Sequence, residues 1–161
     1  DNERFYKSAI KKYGNSAKGV HWNSEDTQQI RFDAILKMLP DDLHNYTLVD
    51  AGCGFGDLYF WMQQKNQTPL SYTGIDTLKD MVEIAQNNTY QKIFQADICK
   101  DVLVEADCYV CSGAMNVLDS FETYLFIKNC YGSCGYAFVF NILYGSKESC
   151  TYNYVTKKQI Y

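Results

Sequence analysis

The sequence predicts an α/β fold, with an open, mainly parallel, doubly wound sheet in a single domain. Three observations carry that expectation. Short apolar runs alternate with segments of helical periodicity, which calls for parallel strands joined by right-handed helical crossovers. The first run, Thr47-Leu48-Val49-Asp50-Ala51, breaks into Gly52-Cys53-Gly54-Phe55-Gly56-Asp57, and a helical pattern follows at once. The chain has 161 residues, one domain's length with room for a substantial core, and no internal repeat, low-complexity tract or linker divides it. Residues 1–161 therefore read as one domain, with 1–46 as an N-terminal helical or cap segment and 47–143 as the sheet core.

Each element has its own justification. Residues 1–15 are polar with scattered aromatics and suit a helix or a loose arm. Ser24 is a plausible N-cap for an amphipathic helix from Thr27 to Leu39, with Ile30, Ala34, Ile35, Met38 and Leu39 expected on one face. Pro40 and the Asp41-Asp42 pair stop it. Leu48 to Gly52 is the first strand, and Leu58 to about Lys65 its helix. Tyr72 to Asp76 is the second strand, followed by a helix from Leu78 to Gln86 that points Met81, Val82 and Ala85 inward. Lys92 to Asp97 forms a third strand and Cys108 to Ser112 a fourth. A helix over about 120–131 leads to a long fifth strand, Tyr136 to Leu143. About eighteen polar, tyrosine-rich residues follow. A sheet ending on that apolar strand would leave an exposed edge, so the C-terminal strands are expected to be lacking or truncated.

The glycine turn carries the first chemical information. Glycines let the backbone turn tightly and leave no Cβ between it and a ligand, while the next helix aims its free amides at the same spot. In an open α/β sheet this builds a nucleotide pocket at the carboxyl end of the first strand. The dinucleotide fingerprint needs G-x-G-x-x-G. Here the third glycine comes one residue early, and Asp57 stands where that fingerprint has glycine. Asp50 and Asp57 would repel a diphosphate by roughly 1–4 kcal/mol per close pair. Beside a ligand carrying an amino group and a sulfonium they would attract.

At this point the sequence resembles the class I S-adenosylmethionine (SAM) methyltransferases, whose first motif is an acidic residue followed by G-x-G-x-G. The resemblance covers about residues 19–143 and implies a Rossmann-like methyltransferase fold with SAM as cofactor. It implies that Asp50, Gly52, Gly54 and Gly56 line the floor under the methionine part of SAM; a plain structural turn is the alternative.

Asp76 ends the second strand twenty residues after Gly56, where α/β nucleotide folds hold ribose hydroxyls with a carboxylate. Its other common use is to cap the following helix. Thr77 and Leu78, just beyond, are expected at the adenosine. The resemblance implies that Asp97 meets the adenine amino group and Ile98 packs on the ring, against the alternative of a loop aspartate. It also places Ser112 to Val117 between cofactor and acceptor. Ser112 and Asn116 there either orient the acceptor or cap the next turn. That segment is not the N/D-P-P-Y/F motif of amino-methylating DNA enzymes. Cys111-Ser112 also lacks the proline of cytosine C5 enzymes.

The loop Gly19-Val20-His21-Trp22-Asn23, followed by Gln28 and Arg31-Phe32, is similar to a G-x-x-W loop and R-F pair of some methyltransferase-like domains. This implies that Arg31 holds the methionine carboxylate and that Trp22 covers the site. The alternatives are a solvated arginine and a core tryptophan. His21 is a candidate base, or simply a surface histidine.

Composition bounds the partners. A net charge of −4 argues against a broad phosphate-binding surface, so nucleic acid is a poor default. No apolar run approaches the ~18 residues needed to span a bilayer and no secretory leader is recognisable. Seven cysteines, an odd number, fit free thiols in a reducing cytosol, so a cytoplasmic location is expected. Cys108-x-x-Cys111 and Cys130-x-x-x-Cys134 have spacings near those of a zinc ribbon. However, residues three apart on a strand point to opposite faces and do not converge on one ion, so no metal is expected.

The expected activity is methyl transfer from SAM to a small molecule or protein side chain. A general base is needed only if the acceptor must lose a proton. A domain that binds SAM or its demethylated product without transfer is the runner-up, and a nicotinamide-dependent oxidoreductase a third. Neither the acceptor nor the oligomeric state is legible from residue pattern.

Overall fold

The computed structural model describes residues 25–142. Ser24, His21, Trp22 and the expected N-terminal helix or arm lie outside the described residues, as does the segment after the fifth strand. Helix α1 (Glu25–Met38) leads into β1 (Thr47–Ala51), α2 (Asp57–Gln64), β2 (Ser71–Asp76), α3 (Lys79–Thr89), β3 (Lys92–Gln95), β4 (Ala106–Ser112), α4 (Ser120–Ser133) and β5 (Cys134–Asn141). One 3₁₀ turn that the sequence reading did not foresee, Ala114–Val117, sits between β4 and α4.

The five strands form a sheet in the order β3-β2-β1-β4-β5, and every pairing is parallel. The chain reverses its direction of travel across the sheet between β1 and β4, where open α/β sheets leave a crevice at the strands' carboxyl ends. The register on either side is fixed, with Asp50 opposite Gly74 of β2 and Val110 of β4. At the far end of β1, Thr47 and Asp107 lock that register with reciprocal bonds. Thr47 N and Oγ1 donate to Asp107 Oδ2, and Asp107 N donates to Thr47 Oγ1.

Strand alternation sends side chains to two cores. On one face, Leu48, Tyr72, Cys108 and Val110 pack with α1, α2 and α3 through residues such as Phe32, Ile35, Met62 and Val82. On the other, Val49, Ile75, Tyr109 and Cys111 pack with Phe126 and Cys130 of α4. Cys108 and Cys111 thus stand on opposite faces of the sheet, as the two-residue period of a strand requires. Among the described residues no cluster of metal-ligating side chains occurs, and six cysteines are free thiols. No helix among them is long and apolar enough to cross a membrane.

The expected face of α1 needs correction. Ile30 is 68% and Met38 72% exposed, and Ala34 is exposed too. The buried stripe runs through Gln28, Phe32, Ile35, Leu36 and Leu39. Ile35 and Leu39 belong to both faces, but the helix is turned so that Phe32 and Leu36 meet the sheet while Ile30, Ala34 and Met38 face solvent. The inward set expected for α3, Met81, Val82 and Ala85, is buried.

Candidate active site

The functional geometry starts at the glycine turn. Gly52, Gly54 and Gly56 all adopt left-handed backbone, with φ of +76°, +56° and +87°, a region L side chains enter only at a cost. Two of the glycines are fixed by packing as well. A Cβ on Gly52 would lie 2.3 Å from Ala114 Cβ, and one on Gly56 would lie 2.5 Å from Thr89 Cγ2. A Cβ on Gly54 would meet nothing within 4 Å. Gly54 therefore leaves bare backbone facing open space.

That space is a cleft of about 980 Å³, part of it open to solvent, at the carboxyl ends of the strands. Asp50, Gly52, Gly54, Asp76, Thr77, Asp97, Ile98 and Ser112 all line it. The cleft walls also hold Gln28 and Phe32 of α1, Asp57 and Leu58 of α2, and Leu118, Glu122 and Phe126 around the start of α4. Five carboxylates line the cleft and no lysine or arginine does, among the described residues. Such a cleft favours a cationic ligand over a phosphate.

Asp76 braces the turn. Gly54 N donates to Asp76 Oδ2 at 3.0 Å, and Leu78 N donates to Asp76 Oδ1 at 3.1 Å. One oxygen thus closes a turn two residues long ahead of α3, whose N-cap is Leu78 with no side-chain cap bond. The helix-capping role considered for Asp76 is therefore not seen, while the other oxygen ties β2 to the glycine turn. The Thr77 amide is a third backbone donor to this carboxylate, whose roughly four lone-pair sites still leave room for a ligand hydroxyl. Burial raises the Asp76 pKa and these backbone donors oppose the rise.

Asp50 is 3% exposed and accepts from the Tyr72 hydroxyl at 2.6 Å. Burial lifts its pKa to about 7; the Tyr72 hydrogen bond works against this, while Asp76 and Asp57 add to it. A carboxyl whose folded pKa is raised contributes stability that is fully present below its unfolded value, 3.8, and is lost as pH rises towards about 7. At about 1.4 kcal/mol per pH unit, the loss is on the order of 4 kcal/mol. Asp50→Asn is expected to remove that slope. Urea unfolding should find the variant gaining on the wild type by a few kcal/mol between pH 4 and 8. Parallel pH profiles for the two proteins would show that Asp50 is ionised throughout.

The other candidates separate by position. Asp97 lines the cleft, and its Oδ1 accepts from Cys99 N at 2.9 Å, so part of its carboxylate closes the turn after β3. Ser112 donates to Asn141 Oδ1 at 3.2 Å, and Asn141 Nδ2 donates to the Arg31 carbonyl at 3.0 Å, which ties β4, β5 and α1 together beside the cleft. Gly56, Leu78, Asn116 and Arg31 do not line the cleft. Leu78 packs instead with Phe55 and Met81, because the extended backbone at this cap position turns its side chain into the core beside α3. Asn116 is buried in the 3₁₀ turn.

Sequence reasoning missed Gln28, Glu122 and Phe126 as cleft residues. Gln28 Nε2 donates to Asp57 Oδ2 at 3.3 Å, joining α1 to the glycine turn. A polar residue in phase with Phe32 and Ile35 was the available signal. Glu122 shares a capping box with Asp119 at the start of α4, and the D-x-x-E spacing announces that cap.

Residues 48–134 match the methyltransferase domain family, more than half of the chain. No curated protein matches the sequence. Among solved structures, magnesium protoporphyrin IX methyltransferase from Synechocystis PCC 6803, with bound SAM, superposes with a TM-score of 0.73 at 15% identity, covering 99% of this chain and 82% of that one. An S-adenosylmethionine dependent methyltransferase from Mesorhizobium loti gives 0.56 at 24% identity, covering 67% and 50%. Phosphoethanolamine N-methyltransferase 1 from Haemonchus contortus, in complex with phosphoethanolamine and S-adenosylhomocysteine, gives 0.61 at 16% identity, covering 95% and 38%. These likenesses establish the Rossmann-like fold, and with the family match over the glycine turn and four of the five strands they lead to one conclusion. The chain belongs to the methyltransferase domain family.

Proposed function

We propose that this domain binds SAM in the cleft at the carboxyl ends of its strands and transfers the methyl group to a small molecule or protein side chain. The observation that carries the reading is the lining of that cleft, five carboxylates and, among the described residues, no lysine or arginine, over a bare glycine backbone. SAM supplies an electrophilic methyl on a sulfonium. The protein's share is to bind, orient and exclude water, and proximity can then provide most of the acceleration.

The residues divide that work. Gly52 and Gly54 form the floor for the methionine part, with Asp50 beneath its ammonium. Asp76 takes the ribose hydroxyls on the acceptor positions its backbone partners leave, next to Thr77. Asp97 and Ile98 take the adenine, and Phe126 adds apolar surface at that end. Gly56 and Leu78 act from behind, shaping the turn and the floor. Ser112 stands at the mouth, with Asn116 in the turn that follows. Arg31 serves by position on α1, where its carbonyl receives Asn141. Trp22 and His21 keep their proposed roles of cover and base, outside the described residues.

Small acceptors are favoured because structural neighbours include methyltransferases named for magnesium protoporphyrin IX and phosphoethanolamine. The acidic cleft and the net charge of −4 both oppose a nucleic-acid acceptor. Free, buried thiols suit a reducing cytosol. A thermal-shift assay tests the cofactor. SAM at about 100 times its Kd should stabilise the fold by about 2.7 kcal/mol, while NAD leaves the melting temperature unchanged. The reverse ranking would sink the SAM reading.

A further inference from the structure

Asp50 leans on a residue that never reaches the cleft. Tyr72 is 3% exposed in the core beneath the sheet, and its ring packs on Tyr59 with centroids 5.0 Å apart. Tyr72 stands two residues before Gly74, the register partner of Asp50, and so lies diagonally across from Asp50 on the same face of the sheet. Across that diagonal the Tyr72 hydroxyl donates to Asp50 Oδ2 at 2.6 Å. Asp50 meanwhile lines the cleft over the turn.

We propose that Tyr72 is a positioning residue for the cofactor, holding the Asp50 carboxylate in place for the ligand's cationic end and so linking cofactor binding to release of the Asp50 proton. The proposal rests on the SAM reading above. Tyr72 can hold this role because it stays a donor, burial and the Asp50 charge pushing its own pKa well above the usual range. The titratable neighbours of Asp50 are Asp76 on β2, Cys53 and Asp57 around the turn, and Cys111 on β4. The side chains that α1 presents to the cleft, Gln28 and Phe32, do not titrate.

The linkage follows from charge. SAM carries a sulfonium, an ammonium and one carboxylate, and binds best to ionised Asp50. Free Asp50 takes up its proton with a midpoint near 7, so affinity should climb by up to about tenfold per pH unit below that midpoint and level above it. The Tyr72 hydrogen bond favours the ionised form. Removing it should move the midpoint up by about one pH unit, since hydrogen bonds to charged groups are among the stronger ones.

Titration calorimetry with SAM, between about pH 5.5 and 7.5 to stay below the usual α-amino range, tests this. Buffers of different ionisation heat count the protons released. The wild type should release close to a full proton on binding at the acid end, and its gain in affinity should bend towards level by pH 7.5. Tyr72→Phe should bind about tenfold more weakly at pH 6.5 and keep climbing without bending up to pH 7.5. Asp50→Asn should release no proton, and adding Tyr72→Phe to it should change nothing further. Tyr72→Phe with the wild-type profile, or with a loss equal at every pH, would overturn the proposal. So would persistent proton release in Asp50→Asn, a test that stands even where Tyr72→Phe does not fold. Failure of the wild type to bind SAM at any pH would instead overturn the SAM reading itself.

Discussion

Gly52→Ala is expected to cost this domain about 2–5 kcal/mol, combining the left-handed backbone penalty with overpacking. Both costs come from the same residue. Its φ is +76°, and an added Cβ would lie 2.3 Å from Ala114 Cβ, a separation nonbonded carbons cannot hold. Relief would need the glycine turn and the 3₁₀ turn after β4 to move apart, and those two turns form one wall of the cleft. Gly54→Ala supplies the control. With a φ of +56° and no neighbour within 4 Å, it should lose only the backbone penalty, about 1–2 kcal/mol, while its new methyl enters the cleft. Urea titration and SAM calorimetry together should find Gly52→Ala poor in stability and Gly54→Ala poor chiefly in binding. Equal stability losses would mean that the approach to Ala114 does not constrain the fold.

Asp76→Ala should weaken SAM binding at least about tenfold, since a lost hydrogen bond to a charged group costs roughly 1.5–3 kcal/mol. The structure adds a second loss. Three backbone amides, those of Gly54, Thr77 and Leu78, donate to this carboxylate, and each would be left without its acceptor. Stability should therefore fall by about 1–3 kcal/mol as well. The two effects are separable by calorimetry against urea unfolding. Lower stability with wild-type SAM affinity would make Asp76 a brace for the turn and nothing more.

The sheet was legible because its signals are local. Each strand was read from an apolar run of four to eight residues, and the turn between β1 and α2 from three glycines whose positive φ the structure bears out. Two strand ends were legible for the same reason, Asp76 and Ser112. β3 stops at Gln95, two residues short of the expected Asp97, and Asp50 lies one residue inside the end of β1, yet all four polar residues line the cleft. What was not legible depends on contacts distant in sequence. The face of α1 is set by the sheet it packs on, so Ile30 and Met38 looked inward by periodicity and are exposed. Leu78 reads as a ligand contact by its place after Asp76, and it sits one layer back, packed behind the cleft residues Phe55 and Met81. Gln28 and Asn141 matter through partners 29 and 110 residues away, and no local pattern carries such pairings.

The cysteines on opposite faces of the sheet can serve as reporters. Cys53 and Cys108 belong to the layer under α1, α2 and α3, and Cys111 and Cys130 to the layer under α4. Cys53 also lines the cleft, but a thiol reagent reaches Cys108, Cys111 and Cys130 only when their layer opens, so their labelling rates clock local unfolding on each side of the sheet separately. The cleft draws its walls from both layers, with Phe32 and Leu58 from one and Ile98 and Phe126 from the other. A ligand seated between them acts as a rivet, and the molecule carries its own paired timers for how tightly that rivet holds.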